Sequence, residues 1–193
     1  MNLIKLKKLK SKEEIQSFID GYNKAYSTKK IVNKQSLILE NLMEYDYLFG
    51  IYKDGKLQGG FIVNKYPKRC LDSFNNEEQK NILVNIGENK DISEVVAIWK
   101  NSNISRFVLW AYTTLATLFY GEKYIFGCAY KGHGMTKNYY FLSPEFVKYG
   151  IKEDDLEVFY YTRIQFFLSF FAGAIRALAK NPIKLFFPQT LEK

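Results

Sequence analysis

Two apolar runs, Ser93–Trp99 and Tyr124–Tyr130, flank a long helical segment from about Ile104 to Tyr120, and this restricts the fold more than any other feature. The first run (Ser-Glu-Val-Val-Ala-Ile-Trp) has the near-continuous hydrophobicity of a strand covered on both faces. The helix stops at Gly121, a usual C-terminal residue. Strands joined by a helix of this length lie parallel, through a right-handed crossover. The chain must therefore hold a parallel strand pair with a helix packed on its face.

Other segments supply the partners of that unit. Asn2–Leu9 sets Leu3, Leu6 and Leu9 among lysines, as a short strand does. Ser11-x-x-Glu14 is a capping box, followed at helical spacing by Ile15, Phe18, Ile19, Tyr22 and Tyr26. A second helix is predicted over Gln35–Tyr45, with Leu39, Leu42 and Met43 as its buried stripe. Tyr47–Lys53 and Lys56–Lys65 read as a hairpin closed at Asp54-Gly55. Gly59-Gly60 in its second strand predicts a bulge or a close backbone approach. Asn75 and Asn76 before Glu77-Glu78 cap an inserted helix through Ile86. Beyond Tyr130, Ser143-Pro144-Glu145 opens a short helix that ends at Gly150. Glu157–Arg163 is a last strand, and a C-terminal helix over 165–180 halts before Pro182.

Neither a repeat nor a linker divides the 193 residues, so the expectation is one α/β (mixed α+β) domain over 1–193. At 47% hydrophobic and 25% charged, the composition excludes a disordered chain. Phe107–Tyr120 is shorter than the roughly 20 residues a membrane span needs. Val158–Ala179 is long enough, but Arg163 and Arg176 interrupt it. With two cysteines, Cys70 and Cys128, and no leader pattern, a cytoplasmic protein without a disulfide framework is expected. No P-loop or dinucleotide glycine fingerprint is present, which lowers the case for a nucleotide hydrolase or dehydrogenase.

The net charge of +8 attracts an anionic partner: nucleic acid, anionic lipid, an anionic cofactor or an acidic carrier protein. Lys5, Lys7, Lys8, Lys10 and Lys12 form either a solvated edge or the footing of a nucleic-acid or membrane-surface binder. No stacking aromatics interleave them, so no specific nucleic-acid contact is expected.

The order strand, helix, helix, hairpin, insert, strand, long helix, strand, short helix, strand is similar to the GNAT superfamily of acyltransferases, nearly to Thr162. That resemblance implies a central mixed sheet flanked by helices, with the parallel strands around helix 104–120 splayed apart. Acyl-CoA would lie in the gap, its pyrophosphate on the amides at the helix N-terminus, where unpaired N–H groups and the dipole attract anions. The family signature Gln/Arg-x-x-Gly-x-Gly/Ala falls on Lys100-Asn101-Ser102-Asn103-Ile104-Ser105. Lys100 keeps the cation, Asn103 tolerates a left-handed backbone and Ser105 is small; neither glycine is present. Ile98, Trp99, Lys100, Asn101, Ser102, Asn103, Ser105, Arg106 and Asn138 form the expected acyl-CoA-binding set. The alternative is a polar loop that merely caps the helix.

The family's short helix carries Asn, then a general-acid Tyr, then Gly-Phe. Here Asn138 precedes Phe146 at the tyrosine position, and Tyr149-Gly150-Ile151 follows. Tyr149, with Tyr139 and Tyr140, either substitutes for the acid or packs in the core. Transfer to an amine needs the ammonium deprotonated, and such enzymes place a Glu on the strand before the long helix. Glu94 fills that place, as a partly shielded base or as an exposed strand-end carboxylate. His133, the only histidine, lies in Gly132-His133-Gly134: a site loop or a solvent-exposed turn. One histidine without clustered ligands makes no zinc site, so no metal is expected. Cys128 reads as a buried small hydrophobe, and Cys70 has no histidine near it in sequence. Phe159–Phe171 packs on the sheet, walls an acyl-chain groove or forms a homodimer face.

The expected function is N-acyl transfer from acyl-CoA (acetyl-CoA or longer), or from an acyl carrier protein, to a small-molecule or peptide amine. The alternatives are a non-catalytic binding protein that keeps the fold, and a basic nucleic-acid or membrane-surface binder.

Overall fold

The computed structural model describes residues 3–27, 37–72, 74–86, 91–130, 145–151 and 154–180. Its elements run β1 (Ile4–Lys8), α1 (Lys12–Tyr26), α2 (Leu39–Met43), β2 (Tyr47–Lys53) and β3 (Lys56–Asn64). They continue with α3 (Lys68–Leu71), α4 (Asn76–Ile86), β4 (Ile92–Lys100), α5 (Arg106–Tyr120) and β5 (Tyr124–Tyr130), and end with β6 (Glu145–Ile151), β7 (Asp154–Thr162) and α6 (Arg163–Lys180). The strands form one mixed sheet in the order β1-β2-β3-β4-β5-β7-β6. Of the described neighbours, only β4 and β5 are parallel, as the helix between them requires.

The helices cover both faces. α1 and α2 pack on one face through Phe18, Ile19 and Leu42 against Leu48, Ile62 and Trp99. The insert α3–α4 covers the same face further along, where Cys70, Leu71, Phe74 and Ile82 meet Ile92 and Phe126. α5 lies on the opposite face over Phe49, Ile51, Phe61 and Val63, with α6 beside it through Phe166, Tyr161 and Ile125. Burying each such aromatic contributes on the order of 1.5–3 kcal/mol.

Local chemistry sets the ends. Ser11 and Glu14 make the expected reciprocal capping box. Lys7 pairs with Glu14 and, with the Lys10 and Ser11 amides, holds its carboxyl at about 2. α5 starts at Arg106 rather than Ile104, because Ser105 is its N-cap and accepts the Val108 N–H at 3.2 Å. Gly121 ends α5 with φ −78°, so it serves no left-handed turn; a Cβ there would lie 2.5 Å from the Thr117 carbonyl oxygen.

Three sequence expectations are corrected. The short helix expected from Ser143 to Gly150 is replaced, over its described part, by a strand; residues 143 and 144 lie outside the described ones, and Glu145–Ile151 is β6, paired along its length with β7. Its alternating aromatic and β-branched residues outweigh the Ser-Pro start signal. The helix expected over Gln35–Tyr45 is present only as Leu39–Met43, and residues 28–36 lie outside the described ones. The C-terminal helix begins at Arg163, where Thr162 and Gln165 exchange hydrogen bonds in a second capping box.

Candidate active site

The site is built on the divergence of two parallel strands. β4 and β5 pair at Ile92–Tyr124, Ser93–Ile125 and Glu94–Phe126. From there β4 continues to Lys100 beside β3, while β5 continues to Tyr130 beside β7. The strands fork, and beyond Glu94 the β4 strand itself is one wall of the opening, with Val95–Ile98 half-buried.

A bulge shapes that wall. β3 advances two residues from Gly60 to Ile62 while β4 advances three, from Trp99 back to Val96. The extra residue falls at Ala97, whose φ is +50°, a left-handed conformation that costs a non-glycine residue roughly 1–2 kcal/mol. One inserted residue also reverses the facing of the strand beyond it. Trp99 is thereby turned under α1, edge-on to Phe18 at 5.7 Å. It is 4% exposed, and its Nε1 is the one buried side-chain nitrogen or oxygen among the described residues that lacks a hydrogen-bond partner. Tyr26 at the end of α1 donates its hydroxyl to the Ile98 carbonyl at 2.7 Å. Burial pushes the Tyr26 pKa up to about 12, which keeps that proton in place.

At the root of the fork stands Glu94, with no exposed surface. Its Oε1 accepts from the Arg69 amide at 3.1 Å and from Asn64 Nδ2 at 3.4 Å; its Oε2 accepts from the Cys70 amide at 2.9 Å. The Cys70 thiol also hydrogen-bonds to this carboxylate. Arg69 and Cys70 are the second and third residues of α3, so Glu94 caps that helix across the sheet. Burial pushes the Glu94 carboxyl above its ordinary value, and the Cys70 and Arg69 amides pull it back. Tyr45, held by the Arg69 side chain, has its hydroxyl pushed up by burial first and by the Glu94 charge second. Glu94 is thus wholly buried rather than partly shielded.

Where β4 ends, the loop to α5 is tied inward. Asn101 donates its backbone N–H to the Gln58 carbonyl at 2.9 Å, and its amide side chain to Gln58 Oε1. Asn103 Nδ2 reaches the same Oε1 at 2.9 Å, while its N–H goes to Asn101 Oδ1 at 2.9 Å. Lys100 Nζ donates to the Asn101 and Ile104 carbonyls at 3.0 and 2.9 Å, and Lys53 Nζ to the Asn103 carbonyl at 3.2 Å. Asn103 is not left-handed; among described residues other than glycine, only Asp54 and Ala97 have positive φ. Gln58 is positioned by its own bulge, since Gly59 pairs with Ile51 and Leu57 with the next residue, Tyr52. The glycine pair beside it serves close approach: a Cβ on Gly59 would lie 2.9 Å from the Trp99 carbonyl oxygen, and one on Gly60 would overlap the Phe49 carbonyl.

What remains for an anion is the first turn of α5. The Arg106 amide opens that turn, where an α-helix leaves N–H groups outside its own ladder, and the Arg106 side chain is exposed.

The structure brings Ile98, Trp99, Lys100, Asn101, Ser102, Asn103, Ser105 and Arg106 together along one strand end and loop, with Glu94 at the far end of the same wall. His133 and Asn138, like Tyr139 and Tyr140, lie outside the described residues. Tyr149 stands on β6 opposite Leu156, not on a short helix, and Phe146 stands opposite Phe159. Cys128 lies on β5 opposite Val158. Among the described residues no helix is long and apolar enough to cross a membrane. Nor do three His, Cys, Asp or Glu side chains gather there to hold a metal. Sequence reading missed Gln58, the Tyr26–Ile98 bond and the Arg69–Tyr45 contact; the Gly59-Gly60 pair was the one local sign of irregularity near Gln58.

No family model matches the chain, and no curated protein matches it. Solved structures do. FeeM, an N-acyl amino acid synthase from uncultured soil microbes, superposes with a TM-score of 0.61 at 12% identity, over 86% of this chain and 93% of its own. FdhC, a nucleotide-linked sugar GNAT, gives 0.52 at 11% identity over 96% and 98%. YncA of Salmonella typhimurium, solved with its cofactor acetyl-CoA, gives 0.52 at 9% identity over 83% and 94%. The fold is GNAT-like, a mixed sheet flanked by helices.

Proposed function

We propose that this chain transfers an acyl group from a thioester donor to an amine. One observation carries the reading: β4 and β5 separate after Glu94–Phe126, with the N-terminus of α5 at the mouth of the gap. The gap suits an extended pantetheine arm, and the α5 amides with Arg106 suit its phosphate. Acyl-CoA fits this placement in part, since Arg106 is exposed at the start of α5 while Lys100, Asn101 and Asn103 are engaged within their own loop.

In the reaction, the amine nitrogen attacks the thioester carbonyl, the C–N bond forms and the C–S bond breaks. Glu94 takes the ammonium proton; burial at the root of the fork has raised its proton affinity above that of an ordinary carboxylate. To act so it must let go of at least one of its donors, the α3 amides and Asn64. The thiolate leaves and is reprotonated; Tyr149 is our first candidate for that proton, with His133 the alternative base.

The likeness to an N-acyl amino acid synthase puts amino acids first among acceptors. The test is mass spectrometry of mixtures of the protein, an acyl-CoA or acyl carrier protein, and a panel of amines with amino acids included. An acyl-sized mass gain on one amine supports the reading; intact donor in every mixture removes it. The inward-turned loop favours a second reading, a binding protein that keeps the fold, and donor binding without turnover is its signature.

A further inference from the structure

The helices on the two faces of the sheet meet solvent with opposite chemistry. On one face α1 is exposed only at polar positions, from Lys12 to Lys24. On the other, α5 and α6 lie side by side, with the Phe107 and Phe170 rings 5.6 Å apart. Of the twelve large hydrophobic residues exposed among the described ones, seven stand on these two helices. Phe119 is 75% exposed, Ile164 and Ile175 67% each, and Leu115, Leu168 and Phe171 roughly half. Ile164, Leu168, Phe171 and Ile175 recur at the spacing of one helix face, while Phe166 and Ser169 are buried beneath them. Between Arg106 and Gly121, α5 carries no charged side chain. Apart from Arg106, Tyr120 and Gln165, every exposed position described on the pair is apolar. An apolar layer of this kind marks a contact surface.

Charge decides what covers it. The only charged residues on the two helices are Arg106, Arg163, Arg176 and Lys180, and neither helix holds an Asp or Glu. Arg163 and Arg176 bracket the α6 stripe, each about 100° round the helix from the isoleucine beside it. Arg163 donates to the Gly121 carbonyl at 3.1 Å, a neutral acceptor that takes none of its charge. A second copy on this face would bring cations together with no acid on either helix to answer them. Residues 181–193 carry two lysines against one glutamate, so they supply no anionic complement either. A protein partner is met through about one hydrogen bond per 100–200 Å². This face offers few, and Gln165 is already turned to Thr162. We propose that the α5–α6 face rests on an anionic membrane surface, with Phe119 and the Ile164–Ile175 stripe among the acyl chains and the flanking cations at the level of the phosphates. Acyl chains ask for no hydrogen bonds, and anionic headgroups answer the arginines. The helices lie in the plane of the surface and do not cross it; no described helix is long and apolar enough to do so. Such docking stands whether or not the fork transfers an acyl group.

The test is flotation of the full chain with two kinds of liposome, phosphatidylcholine alone and phosphatidylcholine with about a third phosphatidylserine. Wild type is compared with Leu168→Gln/Ile175→Gln and with Val84→Gln, whose valine is 55% exposed on α4 across the sheet. The anionic liposomes should retain wild type, with partition reduced but not abolished between about 50 and 200 mM salt. The neutral ones should retain at least about tenfold less. Leu168→Gln/Ile175→Gln should lower the anionic partition about tenfold or more, and Val84→Gln should leave it unchanged. Melting temperatures check the fold of each variant; if the double variant is unfolded, Ile164→Gln in the first turn of α6 makes the same comparison. Wild type that floats with neither liposome overturns the proposal. Undiminished binding in the stripe variants also overturns it and moves the contact elsewhere on the basic surface. Equal partition into both liposomes overturns the anionic surface. A wild type that is free of lipid and dimeric by sedimentation, with Leu168→Gln/Ile175→Gln monomeric, assigns the face to a second copy instead.

Discussion

The Glu94 carboxylate accepts the backbone N–H of Cys70 at 2.9 Å, across 24 residues of sequence. This contact ties the insert to the root of the fork and gives the most direct prediction. The native state holds the Glu94 proton more tightly than the unfolded chain does. Its contribution to stability is therefore complete below the ordinary carboxyl value and is lost as pH rises through the raised one. In Glu94→Gln that dependence is absent, and one α3 amide loses an acceptor, at about 1–3 kcal/mol. Thermal melts should show the variant's deficit largest below the ordinary carboxyl value of 4.5 and narrowing as pH rises. A deficit that widens with pH contradicts the raised affinity, and turnover unaffected by the substitution ends the role as base.

Gly21 and Trp99 make the second. A Cβ on Gly21 would overlap the Trp99 ring, which is nearly fully buried and held by Phe18. Alanine in a helix gains up to about 1 kcal/mol over glycine, but overpacking a rigid ring costs about 1–3 kcal/mol. Gly21→Ala should lower the melting temperature, and Gly21→Ala with Trp99→Phe should recover part of it. A melting temperature that rises in the single variant would show that the ring moves aside cheaply.

What could be read from the sequence divides along a physical line. The hairpin at Asp54-Gly55, the capping box at Ser11 and the β4–α5–β5 unit are encoded by neighbours in the chain, and all three are present. β6 was misread because Ser143-Pro144-Glu145 mimics a helix start, while its strand character depends on pairing with β7. The α3 cap, the Gln58 clamp and the Tyr26–Ile98 bond join residues tens of positions apart, so no local pattern announces them. Alanine gives no sign of a left-handed backbone, and the Ala97 bulge was invisible for that reason.

That bulge yields the third prediction. Ala97→Gly relieves the left-handed strain and should leave stability level or raise it by up to about 1 kcal/mol. Ala97→Val places a β-branched residue at φ +50° and should cost more than about 1–2 kcal/mol. If valine is tolerated, the strand has returned to regular pairing, and Trp99 should then lose its place under α1, visible as a red shift of its fluorescence.

The last prediction separates a phosphate site from a helix cap. Lys100 braces the loop through two carbonyls, so Lys100→Glu destabilises the unliganded protein and says little about ligand. Ser105→Ala removes the α5 cap, at about 1 kcal/mol, yet leaves the Arg106 guanidinium and the first-turn amides in place. Its melting temperature should fall while the increment given by an acyl donor persists. Arg106→Glu works the other way. A carboxylate at the first helical position favours the dipole by about 0.3–1 kcal/mol, so the unliganded protein should melt at the same temperature or slightly higher. The same carboxylate repels a phosphate, and the increment from acyl-CoA or acyl carrier protein should vanish. Opposite signs in one variant cannot come from a general loss of fold. An undiminished increment in Arg106→Glu would move the donor phosphate away from α5, and with it the reading of the fork as the donor's path.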